Sequence, residues 1–173
     1  MNIATATVTS ATSLSPQASA YRAILWGGLL CGVLDISAAC IQAGLMSGAS
    51  PGRVLQGVAS GLLGRSSFEG GAATAALGLL MHFCVAFSWT VVFHLLSRRL
   101  PALPSQVLLV GPLYGLVVFC GMNYLTLPFL SWFRSLYLHT PIVWVGPMGW
   151  IQAVIHMFCV GLPIVFAARR WGA

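Results

Sequence analysis

Four apolar runs, each long enough to cross a lipid bilayer, constrain this chain more than any other feature. They cover residues 23–46, 72–97, 105–130 and 147–168. A hydrocarbon core about 30 Å thick needs about 20 helical residues. In lipid the backbone must satisfy its own hydrogen bonds, which leaves helices or a closed barrel. The alternation of apolar and polar residues that marks a membrane barrel is absent. The expected fold is therefore all-α and integral to the membrane, a four-transmembrane-helix bundle in contact with the lipid bilayer.

The rest of the composition agrees and removes several functions. Only 6% of the 173 residues are charged, against roughly 25% in soluble domains. All eight basic residues are Arg, set against Asp35 and Glu69. Without Lys there is no Schiff-base nucleophile and no Walker-A phosphate loop. The excess positive charge is scattered between apolar runs, so nucleic acid is not an expected partner. Cysteines 31, 40, 84, 120 and 159 all fall inside apolar runs and form no C-x-x-C, which reads as small buried residues. Residues 1–21 are rich in Ser, Thr, Ala and Gln and lack the positive start of a secretory signal. They are expected to form a disordered tail ahead of a single transmembrane domain spanning 22–173.

Arginines near the segment ends orient the bundle. Arg22, Arg98, Arg99, Arg169 and Arg170 fall on one side, and Arg53, Arg65 and Arg134 on the other. The positive-inside rule then puts both termini in the cytoplasm. In the first outer loop, Ser50-Pro51 supplies a helix N-cap and N1 proline, and Val54, Leu55, Val58 and Leu62 recur at helical spacing. A short amphipathic helix is expected there. It serves either as an anchor or as a lid whose polar residues are Arg53, Gln56, Arg65 and Glu69. Trp132, Phe133, Tyr137 and Trp144 in the second outer loop read as an interfacial aromatic belt.

Ionisable groups within membrane segments are functional candidates by default. Asp35, His82 and His156 lie 11, 10 and 9 residues from the outer ends of their segments. At the helical rise this places all three at a depth of roughly 14–17 Å, near mid-bilayer. Gln42, Asn123 and Gln152 form a second polar layer nearer the outside. Small residues share helical faces with these groups, as in Gly28, Gly32, Asp35, Ala39, Gln42 and in Gly78, His82, Ala86. Such faces pack helix on helix, so the polar groups are expected to point into the bundle. His94, one turn before Arg98, reads as interfacial.

Several readings of the Asp–His–His layer stay open. It suits a proton or polar-solute site. His82 and His156 on alternate helices also suit the axial ligands of a haem b, and with Asp35 they suit a divalent metal. Alternatively the layer is plain interhelical hydrogen bonding in a structural or partner-binding bundle. Nucleophilic catalysis is poorly supported: Cys159 shares a helical face with His156, three residues before it, but that pair alone is a weak signal.

An internal repeat relates the two halves. Gly28-x-x-x-Gly32 matches Gly111-x-x-x-Gly115, His82-Phe-Cys-Val resembles His156-Met-Phe-Cys-Val, and the second and fourth segments both end in Arg-Arg. Two hairpins of like orientation are expected, a 2+2 parallel arrangement. The run 28–48, then Ser50-Pro-Gly-Arg-Val-Leu-Gln56, Gly70-Gly-Ala-Ala-Thr-Ala-Ala-Leu-Gly78 with His82, Gly111-x-Leu-Tyr-Gly115, Met122-Asn123 and Leu127-Pro128 resembles a group of uncharacterised small bacterial membrane proteins. More remotely the chain is similar to the YagU-like inner-membrane family, matching it at His82, Pro128 and His156 but lacking its larger first periplasmic loop. That resemblance implies four helices in a bacterial inner membrane, an association with acid resistance, and no established catalytic residue. Four helices are few for a complete transport path, so a transporter of this kind is expected to be a homodimer.

Overall fold

A computed structural model describes residues 16–139 and 149–172; Trp144, part of the expected aromatic belt, and residues 1–15 of the tail lie outside them. Every regular element among the described residues is helical. Helix α1 spans Pro16–Ser47, α2 Pro51–Leu63 and α3 Gly71–Arg99. Helix α4, Val107–Gly121, runs through a π turn, Met122–Thr126, into α5, Leu127–Leu138. Helix α6, Trp150–Ile155, runs through a second π turn, His156–Gly161, into α7, Leu162–Trp171. Four continuous stretches, Gln17–Ser47, Gly71–Arg99, Val107–Leu138 and Trp150–Trp171, are long and apolar enough to span a bilayer. The chain is a multi-pass membrane protein built as a four-helix bundle.

Two boundaries differ from the sequence expectation. Helix α1 starts at Pro16, inside the stretch expected to be an unstructured tail. Proline is well placed at the start of a helix, and the Ser19 hydroxyl donates to the Trp171 carbonyl at 2.5 Å, tying this first turn to the end of α7. The third span does not stop at residue 130 but continues as α5 to Leu138. Trp132, Phe133 and Tyr137 are therefore exposed on a helix and not in a loop.

Both π turns have a local cause. A proline inside a helix cannot donate its backbone bond and crowds the carbonyl four residues back. For Pro128 that carbonyl belongs to Tyr124 and for Pro163 to Cys159, and each lies within a π turn. The widened turn relieves the clash and inserts one residue into the helical register.

The spans are packed unevenly along their length. At the end carrying the termini, the Trp26 and Trp171 rings stack at 5.8 Å and Arg169 donates to the Ser105 carbonyl at 3.2 Å. Phe93, Ile164 and Val165 are almost fully buried in that half, and Phe93 meets Tyr114 edge-on at 4.7 Å. Here α4 runs so close to the second π turn that a Cβ on Gly161 would collide with the backbone at Gly111 and Gly115. In α1, Gly28 and Gly32 instead receive the rings of Phe87 and Phe83 from α3. Each Gly-x-x-x-Gly face thus packs on the histidine-bearing helix of its own half, though by different means.

At the opposite end α2 lies against α3, where Gly78 abuts the Leu55 carbonyl and leaves no room for a side chain. The Ser50 hydroxyl caps α2 by accepting from the Arg53 amide at 3.3 Å. The far end of α2 has carbonyls with no helical donor. Arg134 Nη1 joins the Gly64 amide in donating to the Ser60 carbonyl, at 3.0 Å, and the Tyr137 hydroxyl donates to the Leu62 carbonyl. A cation at a helix C-terminus also complements the helix dipole. This bracing holds α2 as a cap across the less tightly filled half of the bundle.

Candidate functional site

Beneath α2 the spans enclose a cavity of about 570 Å³, within the range of small-molecule sites. Most of its wall is aliphatic, supplied by residues such as Ile36, Val58, Val85, Leu130 and Val160. Into it come Asp35 from α1, His82 and Trp89 from α3, Arg134 from α5, and Gln152 and His156 from the fourth span. Gln42, two turns on from Asp35 in α1, lines the same space. Both π turns contribute to the cavity wall, Met122 from the first and His156 and Val160 from the second. Interrupted helices of this kind recur at functional sites.

The histidines do not hydrogen-bond to Asp35. His82 Nε2 lies 2.9 Å from the Gly32 carbonyl oxygen, and His156 Nδ1 lies 2.8 Å from the Gln152 carbonyl oxygen. A carbonyl only accepts, so each of these nitrogens carries the proton and donates. When the rings are neutral, His82 Nδ1 and His156 Nε2 are acceptors. Oδ1 of Asp35 is buried and has no hydrogen-bond partner among the described residues. The three groups therefore line one space without a direct hydrogen bond joining any histidine to Asp35.

This geometry narrows the ligand sets considered from sequence. Among the described residues no three His, Cys, Asp or Glu side chains come close enough to hold a metal ion. The divalent-metal set of His82, His156 and Asp35 is not assembled. A bis-histidine haem b needs a free ring nitrogen from each residue aimed at one iron. His82 Nε2 is occupied by the Gly32 carbonyl and His156 Nδ1 by the Gln152 carbonyl, which leaves unlike nitrogens, Nδ1 of His82 and Nε2 of His156, for any axial pair.

Other sequence candidates lie elsewhere. Asn123 is 1% exposed and donates to the Phe119 carbonyl at 2.8 Å without lining the cavity. The extra residue of the π turn rotates it away and brings Met122 and Leu127 to the wall. The lid residues also face outward. Arg53 stacks over the Phe68 ring at 4.1 Å, Gln56 donates to the Gly71 carbonyl at 3.0 Å, and Arg65 and Glu69 are exposed. The amphipathic helix turns its apolar and small residues, Val54, Gly57, Val58 and Gly61, to the cavity instead. Burial of the apolar stripe forces the polar stripe out. His94, expected at the interface, is buried in α3 with its Nδ1 unpartnered.

Arg134 is the cavity residue that sequence reasoning placed only as a loop charge. Its guanidinium Nε is buried with no partner among the described residues. A signal existed: Leu127, Leu130, Ser131 and Arg134 keep helical spacing across Pro128. No family model matches the chain, and no curated protein or solved structure is significantly similar to it.

Proposed function

We propose that this protein is a proton-linked membrane protein handling a polar or amphipathic solute, with Asp35, His82 and His156 as its proton-exchanging groups. The observation that carries this reading is the buried Asp35 oxygen, unpartnered at a cavity that two histidine rings also line. An unsatisfied buried polar atom costs stability, and an intramembrane carboxylate that no side chain neutralises is suited to taking up and releasing a proton. The charged and titratable groups around it are His82, His156 and Arg134 in the cavity wall and the Cys31 and Cys159 thiols nearby. The proposal extends to location: a bacterial inner membrane, as the resemblance to YagU-like proteins implies, with α2 on the periplasmic side and a homodimer as the working unit. Acid resistance is a physiological setting in keeping with such a site.

Asp35 and Glu69 are the only side-chain carboxyls, so infrared difference spectroscopy resolves the question directly. In lipid-reconstituted protein, lowering the pH is expected to raise a protonated-carboxyl band that Asp35→Asn removes and Glu69→Gln retains. An unchanged carboxyl difference spectrum in Asp35→Asn would overturn the proton-linked reading. The orientation has its own check, a reporter enzyme fused after Ala173. Cytoplasmic activity is expected, and activity confined to the periplasm contradicts the topology.

A further inference from the structure

The cavity and the groups around Asp35 specify more than a proton. Resting on the proton-linked reading, we propose that the solute is a lipophilic amine, held as its ammonium form at Asp35 and reached from the lipid between α1 and α6. Three observations converge on this class. First, most of the wall is aliphatic, with the Trp89 indole and Met81 added, so the body of the ligand is apolar. The Trp89 indole is fixed in place, because its outer edge fills the space beside Gly121.

Second, no donor of the protein is paired with the buried Asp35 oxygen among the described residues. Asp35 offers a buried carboxylate oxygen without a partner, and both histidines have committed their ring N–H groups to backbone carbonyls. A ligand that pairs there must supply N–H donors and positive charge, which an ammonium group does. Arg134 does not meet that need. It makes no ion pair with Asp35 among the described residues, and its Nη1 is committed to the Ser60 carbonyl at the α2 end.

Third, a lipid-side groove of about 380 Å³ runs between α1 and α6, lined by Ala38, Ile41, Leu45, Ile151 and Ile155. Gln42 and Met46 line both this groove and the cavity. A molecule already dissolved in the bilayer therefore meets the edge of the cavity without crossing water. That route suits an amine that partitions into lipid.

The test uses the full chain in lipid nanodiscs and three probes of one shape. These are propranolol, a lipophilic secondary amine; 3-(1-naphthyloxy)propane-1,2-diol, its neutral counterpart; and 1-naphthoxyacetic acid, an anion. Equilibrium dialysis is expected to show saturable propranolol binding, with the diol and the acid weaker by roughly tenfold or more, the difference made by one charge-assisted hydrogen bond. Asp35→Asn is expected to bring propranolol down to the level of the diol. The comparison of probes on the unmodified protein needs no variant, so it stands even if Asp35→Asn folds poorly. Equal binding of propranolol and diol would overturn the proposal, and preference for the acid would replace it with an anion site at Arg134. If Asp35 titrates in the infrared while the probes bind alike, the amine falls and the proton-linked reading survives. If propranolol binds through Asp35 with no infrared titration, the proton-linked reading falls and the amine site stands.

Discussion

Replacing Gly161 by alanine is expected to destabilise the bundle by about 3 kcal/mol or more, at or beyond the upper end of the usual overpacking cost. The added methyl group has no flexible neighbour to displace. It meets the carbonyl of Gly111 and, at 2.5 Å, the amide nitrogen of Gly115. Relief requires α4 and the second π turn to move apart as rigid backbones. His156 begins that turn, and its own carbonyl abuts Gly115, so separation also displaces a cavity histidine. Gly57→Ala supplies the contrast: nothing lies within 4 Å of that position, and alanine in a helix interior is favoured over glycine by about 1 kcal/mol. Thermal unfolding in detergent, followed by tryptophan fluorescence or monodispersity, is expected to show a large fall for Gly161→Ala and none for Gly57→Ala. Equal midpoints for the two variants would mean that the close α4 approach is not made.

Asp35→Leu is expected to raise stability while removing the carboxyl of the proposed proton site. The Asp35 oxygen is buried without a partner, and such a group costs about 1–3 kcal/mol. An aliphatic side chain in a mainly aliphatic cavity carries no such penalty. At roughly 2–4 °C per kcal/mol for a chain of this size, the thermal midpoint should rise by several degrees. The competing view, in which the polar layer is glue between helices, gives the opposite sign, because it would lose interhelical bonds worth roughly 0.6–2 kcal/mol each. A lowered midpoint in Asp35→Leu therefore favours a structural bundle and counts against a functional carboxylate. A raised one is the stability–activity trade-off expected where a strained residue is kept for its chemistry.

The four spans and the amphipathic α2 were legible from local pattern, because hydrophobic length and helical spacing are properties of neighbouring residues. The faces carrying Asp35, His82 and His156 could be read the same way, since small residues mark where membrane helices approach. Pattern failed wherever a residue's role depended on register or on a distant backbone atom. Pro128 and Pro163 were visible as breaks, but not that each would be absorbed by a π turn, which turns Asn123 from the cavity and keeps α5 helical as far as Arg134. The composition of α2 showed two faces without saying which one the bundle would bury. Packing decided it, turning Val58 to the cavity and exposing Arg53. The committed ring nitrogens of the histidines were likewise unreadable. Carbonyl partners carry no side-chain signature, and the Gly32 oxygen, 50 residues from His82, is brought within reach only by the packing of α1 against α3. Sequence thus determined which residues enter the bilayer and which turn inward. Tertiary structure alone decided that the inward groups surround a space and do not bind one another.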